Sequence, residues 1–347
     1  MIMRGSTNLP LPVKFRFIDL FAGIGGMRTA AANLGGNCVF ASEWDRYAQF
    51  TYLENYGHTP VGDIREIPAF EIPDHDLLLA GFPCQAFSIA GKREGFDDTR
   101  GTLFFDVARI IEEKRPNLLL LENVKGLMHH DSGRTLATIL RVLRDDLGYF
   151  VPDPEIVNAK MFGVPQNRER VLIVGFRREL GVSDFKYPSG SQPSRVLGHV
   201  LEEIPVSAKY YLSTRLLETL RAHKERHSNR GNGFGMHVRG LEEMAGALVV
   251  GGMGRERNLI IDHRQTDLQP VTKIKGEVNG EGIRRLTPRE WARLQGFPEE
   301  FKIVVSDAQA YKQFGNSVAI PAIQAVLSSM LELVKFDKQL GVGDDAF

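Results

Sequence analysis

Four side chains of the types that make and break polar bonds stand where short apolar runs give way to polar turns. Cys84 lies in Gly-Phe-Pro-Cys-Gln, directly after DLLLAGF. Glu122 sits near the end of NLLLLENV, and Arg168 and Arg170 belong to the Gln-Asn-Arg-Glu-Arg that leads into RVLIVGF. A thiol beside Pro83 and flanked by Gln85 and Ser88 is a candidate nucleophile, whereas Cys38, inside CVFAS, reads as a small buried hydrophobe. A carboxylate and guanidinium groups beside such a thiol could share a proton with its target and neutralise charge that develops there.

A second set has the composition of a nucleoside site. Glycines at 23, 25 and 26 in DLFAGIGG permit a tight turn and close approach of a ligand to the following helix. Glu43, just past CVFAS, is placed to accept hydrogen bonds from ribose hydroxyls, and Trp44 to stack on a base. Asp63, in VGDI, could take an exocyclic amino group. The residue pattern leaves the identity of the nucleoside cofactor open.

These residues need a frame that collects strand ends. FRFIDLF, CVFASE, DLLLAGF, NLLLLENV and RVLIVGF are apolar runs of strand length, and the first two are followed by the helical patterns MRTAAANLG and DRYAQFTYLENYG. Uninterrupted apolar runs suit strands covered on both faces, and strand–helix alternation predicts an α/β, doubly wound, mostly parallel sheet. Ligands of such sheets bind beyond the carboxyl ends of the strands, where the candidates lie. Near residue 187 the texture changes. PSGSQPS reads as a linker, and 187–282 is glycine-rich and irregular. Helical pattern returns in TPREWARLQGF, with Thr287 as N-cap and Pro288 as first helical residue, and again in VAIPAIQAVLSSMLELVKF. The change of texture divides the chain into a unit at 1–187 and a smaller irregular domain expected at 188–304.

The chain has 347 residues, with 43 Lys/Arg balanced by 43 Asp/Glu. Its charge is uneven: 188–304 carries 18 Lys/Arg against 14 Asp/Glu, and seven of those cations lie between 209 and 239. Such asymmetry suits a protein that meets phosphates with one face. Two cysteines offer no disulfide framework and no metal-ligand spacing, which points to a reducing cytoplasm and no metal. No apolar run approaches the length of a membrane span, so no membrane association is expected.

In order along the chain, DLFAGIGG, EWD, GDI, GFPCQ, RGTLFFD, ENV, QNRER, RLTPREWARLQGFP and QFGNSV resemble the blocks of the cytosine-5 DNA methyltransferases, especially the bacterial restriction-modification type. The resemblance covers about 15–176 and 284–318. It implies a cofactor, S-adenosylmethionine, held by Phe21, Gly23, Ile24, Glu43, Trp44, Asp63, Ile64, Leu103 and Asn316. It also implies Cys84 as the nucleophile toward C6 of a flipped-out cytosine, Glu122 at the N3/N4 edge, Arg168 facing O2, and Arg170 as a neighbouring contact. The loop 88–101 (SIAGKREGFDDTRG) would act as a lid, 305–347 would complete the catalytic and cofactor-binding unit of 1–187, and 188–304 would be the target-recognition domain. Ala90 replaces a serine found in some relatives, and Ala247-Leu248 a Thr-Leu pair found in many. The implied partner is double-stranded DNA, read by 187–282 with Arg239, Arg255 and Arg257 as candidate base or phosphate contacts. A cognate restriction endonuclease would act on the same site without a stable complex, and the enzyme would work as a cytoplasmic monomer. An RNA cytosine-5 methyltransferase of the same fold is the alternative. The extra cysteine motif usual in the target region of the tRNA enzymes is absent, as no cysteine follows Cys84. A nicotinamide dehydrogenase would explain neither Cys84 nor QNRER.

Overall fold

The computed structural model describes residues 14–83, 103–190, 195–229, 231, 235–251, 254–264 and 276–334. The expectations placed on Cys84, the 88–101 loop and Ala90 fall outside the described residues.

Four parallel strands, β1 (Phe15–Leu20), β2 (Gly36–Ser42), β3 (Leu77–Gly81) and β4 (Leu118–Val124), lie in the order β2-β1-β3-β4. Each is followed in the chain by a helix: α1 (Gly26–Ala32), α2 (Arg46–Tyr56), α3 (Leu103–Lys114) and α4 (Arg134–Arg141). Alternate residues of these strands bury on opposite faces, as the two-residue period of a strand requires. Phe15, Phe17, Leu77, Leu79, Leu118 and Leu120 join one core with α1. Ile18, Leu20, Leu78, Ala80, Leu119 and Leu121 join the other with α3 and α4. Asp45 starts α2 by accepting the Tyr47 and Ala48 amides at 2.9 and 3.1 Å, and Gly57 ends it at φ +80°.

Beyond β4 the sheet changes direction. After β5 (Tyr149–Phe150), β6 (Glu155–Asn158) and the short β7 (Gln166–Asn167), β8 (Glu169–Arg177) pairs antiparallel with β4, β5 and β6. The strand expected from RVLIVGF therefore exists, and its amino-terminal end lies beside the carboxyl-terminal end of β4. Val124 pairs with Arg170 and Glu122 with Leu172.

The irregular region has a small core of its own. Leu217 and Leu220 of α5 (Thr214–Ser228) pack on Leu212, Met236, Leu259 and Ile283. The last two belong to a three-stranded sheet of β9 (Val238–Arg239), β11 (Leu259–Ile261) and β12 (Ile283–Arg285), while β10 (Ala245–Gly246) leaves to pair with β7. α6 (Pro288–Leu294) begins as expected: Thr287 Oγ1 accepts the Glu290 amide at 3.2 Å, and a Glu290 carboxylate oxygen accepts the Thr287 amide at 2.8 Å. α7 (Asp307–Asn316) had no counterpart among the expected helices; α8 (Ile320–Glu332) follows it after 317–319 and packs on α1. Taken together, Asp307–Glu332 is long and apolar enough to cross a membrane by length and composition, more than the sequence reading allowed. It is, however, broken into two helices, and Ile320, Ile323, Val326, Leu327 and Met330 are buried in the main core.

A buried ion cluster fastens α6 to the small sheet. Arg284, fully buried, donates from Nε to Asp262 at 2.9 Å and from both terminal nitrogens to Glu290 at 2.8 Å. Removing one member leaves the opposite charge desolvated and unmatched. Arg284→Met should lower unfolding free energy by about 3–5 kcal/mol, read from urea denaturation. A loss below about 1 kcal/mol would show that the cluster behaves like an exposed pair.

Candidate active site

The carboxyl ends of β1, β3 and β4 and the amino end of β8 open onto one cavity of about 1150 Å³. Ligand clefts run to roughly 300–1,000 Å³, so the space lies just beyond the large end of that range. Every catalytic and cofactor residue expected from the sequence lines it except Cys84, which lies outside the described residues; Pro83 before it does line the cavity.

The glycine turn is shaped by backbone geometry that side chains resist. Phe21 itself has φ +57°, a strained value for a residue with a Cβ, and Gly23 and Gly25 have φ +55° and +81°. A Cβ on Gly25 would lie 2.4 Å from the Tyr56 ring, whose hydroxyl donates to the Gly25 carbonyl at 3.0 Å. At Gly23 a Cβ would meet nothing within 4 Å, leaving open space against the backbone on the cavity side.

Glu43 is held by backbone amides: one oxygen accepts from Gly23 at 2.9 Å and the other from Asp45 at 2.7 Å. Burial pushes its carboxyl above the ordinary range, opposed by those amides. Trp44 is 74% exposed, an unusual position for a large apolar ring. Asp63 caps the turn that contains buried Ile64, accepting the Arg65 amide at 3.0 Å, and both its oxygens also accept from the Arg65 guanidinium. The same turn is gripped from α3, where Arg109 donates to the carbonyls of Ile64 and Ile67 at 2.6 and 2.9 Å. Asn316 ends α7, the helix whose Gln313 and Lys312 bond Tyr47 O and Asp45 at 2.9 and 2.5 Å, so it reaches the cavity by docking on α2.

At the β4–β8 rim, Glu122 Oε1 lies 2.7 Å from Arg170 Nε, with both side chains partly exposed. Arg168 departs from the expected outward role. It is 2% exposed, and its terminal nitrogens donate to the carbonyls of Leu248 (2.9 Å), Gly315 (3.2 Å) and Ser317 (2.5 Å). Burial pushes its guanidinium down to about 9, with Arg170 adding to the effect and Glu122 opposing it. The guanidinium beside the candidate carboxylate is therefore that of Arg170, and Arg168 joins chain segments together.

Two contributors escaped the sequence reading as individual residues. Asn123, buried in the ENV block, donates from Nδ2 to Phe82 O at 2.9 Å and so fixes the chain two residues before Cys84. Asp19 is 1% exposed in the cavity floor and accepts the Arg28 amide at 3.2 Å. The candidate DNA contacts are varied. Arg239 donates to Asn258 at 2.8 Å beside a second cleft, shared with Lys160 and Asn167. Arg255 lies over the Tyr311 ring at 5.5 Å, and Arg257 is exposed. Among the described residues no group of three or more His, Cys, Asp or Glu is arranged to hold a metal ion.

A family model described as C-5 cytosine-specific DNA methylase matches residues 15–332. The Type II methyltransferase M.HpaII of Haemophilus parainfluenzae is 63% identical over 328 residues, spanning 94% of this chain and 92% of that protein. M1.ScrFI of Lactococcus lactis subsp. cremoris is 46% identical across 94% of this chain and 80% of its own length. M.HhaI of Haemophilus parahaemolyticus is 39% identical across 90% and 92%. The crystal structure of S. pombe Dnmt2 methyltransferase superposes with a TM-score of 0.69 at 19% identity, over 93% of this chain and 99% of that one, a likeness of fold. The chain belongs to the C-5 cytosine-specific DNA methylase family.

Asp19 makes the site pH-sensitive. Burial raises its carboxyl from 3.8 to about 7, the Arg28 amide pulling the other way. Between those values the folded protein holds a proton that the unfolded chain has released, so stability falls as pH rises through that window. Asp19→Asn should flatten this slope and make the protein more stable than the parent at pH 8, with little difference at pH 4, measured by urea denaturation in the absence of ligands. Parallel curves for parent and variant would show that Asp19 ionises normally.

Proposed function

We propose that this DNA methylase transfers a methyl group from S-adenosylmethionine to C5 of a cytosine turned out of duplex DNA. The observation that carries the reading is the Glu122–Arg170 pair opening into the same cavity as the glycine turn and the amide-held Glu43. A base inside a stack is out of reach of such a rim, so it must be extruded.

The chain's own groups suit the cofactor. The space at Gly23 admits close approach of a ligand to backbone, the fixed Glu43 oxygens would accept from ribose hydroxyls, and exposed Trp44 would stack on an adenine. Phe21, Ile24, Asp63, Ile64 and Leu103 line the same cavity, and Asn316 would hold the methionine end. When bound, S-adenosylmethionine supplies an electrophilic methyl group on a sulfonium.

Cys84, as thiolate, forms a bond to C6, and the C5–C6 π electrons move to C5. Glu122 shares a proton with N3, so that negative charge does not accumulate on the ring. Arg170, paired with Glu122, faces O2 and holds the carboxylate's orientation, while Arg168 supports the wall from within. After C5 has taken the methyl, leaving S-adenosylhomocysteine, the C5 proton passes to a water and the Cys84–C6 bond breaks, returning the thiolate. Asn123 acts through the Phe82 carbonyl to present the turn that carries Cys84.

The irregular, net basic segment 188–304 is read as the target-recognition domain, and 1–187 with 305–347 as the catalytic unit. The similarity to type II methyltransferases supports double-stranded DNA as substrate; the proposal extends to a cognate restriction endonuclease acting on the same sequence without a stable complex, and to a cytoplasmic monomer. Labelled methyl transfer to duplex DNA followed by bisulfite sequencing tests substrate, atom and recognised sequence together; label entering RNA alone would transfer the reading to the RNA alternative.

Cys84→Ser should abolish turnover while cofactor binding, measured by calorimetry, stays near that of the parent. DNA carrying 5-fluorocytosine at the mapped position should become covalently attached, with the adduct on Cys84 in peptide mass maps; attachment to Cys38 would overturn the assignment. Glu122→Gln should slow single-turnover methylation by more than about tenfold with DNA affinity retained, and a near-normal rate would restrict Glu122 to holding Arg170.

A further inference from the structure

Gln166 and Arg168 stand where three distant segments meet. Gln166 Oε1 accepts the Leu248 amide at 3.0 Å, and its Nε2 donates to Leu294 O and Gln295 Oε1 at 2.8 and 3.1 Å. One arm of Arg168 takes the Leu248 carbonyl, and the other takes those of Gly315 and Ser317. Gln295 Nε2 donates to Phe314 O at 2.6 Å and Ser317 O at 3.2 Å. Both backbone groups of Leu248 are thus held by the same cluster that holds the carbonyls on either side of Asn316.

The line continues outward. Gly246, in β10, gives its amide to Asn258 Oδ1 at 2.7 Å and accepts from Asn258 Nδ2 at 3.1 Å, and that Oδ1 also accepts from Arg239 at the second cleft. Sterics agree with the bonding. A Cβ on Gly315 would lie 2.8 Å from Val250 Cγ2, so 249–250 rests directly on the turn beside Asn316. Gln166, Arg168, Leu248 and Gln295 are all buried, and a shift of Leu248 would leave unmatched donors and acceptors on both sides with no water to replace them.

We infer that Gln166 and Arg168 are positioning residues that couple contact with DNA along 239–248 to the cofactor-facing turn 314–317. The coupling rests on the methyltransferase reading above. Recognition of the right sequence then sets the carbonyl frame around Asn316, and a bound cofactor in turn stiffens the recognition strand, since such coupling is reciprocal.

The test is a binding cycle with S-adenosylhomocysteine and a duplex bearing the mapped sequence. In the parent protein the duplex should tighten S-adenosylhomocysteine binding by about 5–150-fold, the usual range of such coupling. Arg168→Lys keeps a charge but replaces the rigid fork, whose separate nitrogens take Leu248 O and Ser317 O, with a single rotatable nitrogen; the ratio should fall toward one. A fold that is merely loosened would weaken binding with and without DNA alike and leave the ratio intact. An unchanged ratio in the variant, or a ratio of one in the parent, overturns the inference. A second measurement needs no variant: S-adenosylhomocysteine alone should slow hydrogen exchange at the Leu248 amide, and the duplex alone should slow exchange in 314–317. If neither occurs the inference also fails. Absence of methyl transfer to DNA by the parent protein would instead overturn the underlying reading, and the inference with it.

Discussion

The antiparallel pairing of β8 with β4 is the constraint on which the site depends. Four parallel strands bring their carboxyl ends to one rim, and that rim is where Asp19, Glu43, Pro83 and Glu122 sit. A fifth parallel strand would have placed the residues before it at the opposite edge of the sheet. Reversal of β8 puts Arg168 and Arg170 beside Glu122 instead, with Val124 opposite Arg170 in the ladder. The ion pair at 2.7 Å follows from strand register, since side chains of paired strands on one face have little choice of neighbour.

The two arginines, two residues apart in the chain, one just before β8 and one within it, have opposite fates. Arg170 remains partly exposed beside a carboxylate. Arg168 lies in the interior, where its desolvation costs several kcal/mol, and it is bonded to three carbonyl oxygens. Charge-assisted hydrogen bonds of about 1.5–3 kcal/mol each offset that cost provided all three acceptors stay in place. The arrangement therefore demands a fixed geometry of residues 248, 315 and 317, which a neutral side chain would demand less strictly. Its Nε has no acceptor among the described residues, a further reason for the other bonds to hold firm.

How much of this was legible beforehand can be followed residue by residue. The glycine turn, the Thr287–Pro288 start of α6 and the strand runs all announce themselves locally, because caps, turns and two-sided burial leave marks within a few residues. Residues at the strand ends could be collected into one site once a parallel sheet was assumed, and the structure does bring all the described ones to one cavity. The direction of β8 carries no local mark, since RVLIVGF buries on both faces whichever way it runs. Nor could Arg168 be told from Arg170, as the carbonyls that claim it lie 80 to 149 positions away. α7 was missed for a simpler reason: DAQAYKQFGN has a polar exterior, and Ser306 makes no capping hydrogen bond from its side chain.

The docking of α7 on α2, and of α8 on α1, has a consequence for synthesis on the ribosome. The glycine turn and Glu43 are among the first described residues to emerge, and the 313–318 wall is among the last. At roughly 5–20 residues per second, tens of seconds separate the two, during which the nascent sheet carries an unfinished cavity and an uncovered apolar face awaiting Ile323, Val326 and Leu327. Until residues 313–318 have left the ribosome, the growing polypeptide lacks one wall of the cavity. In a DNA methylase, a family whose reaction leaves a lasting covalent mark, the order of synthesis thus delays closure of the cavity until its last-made wall is in place.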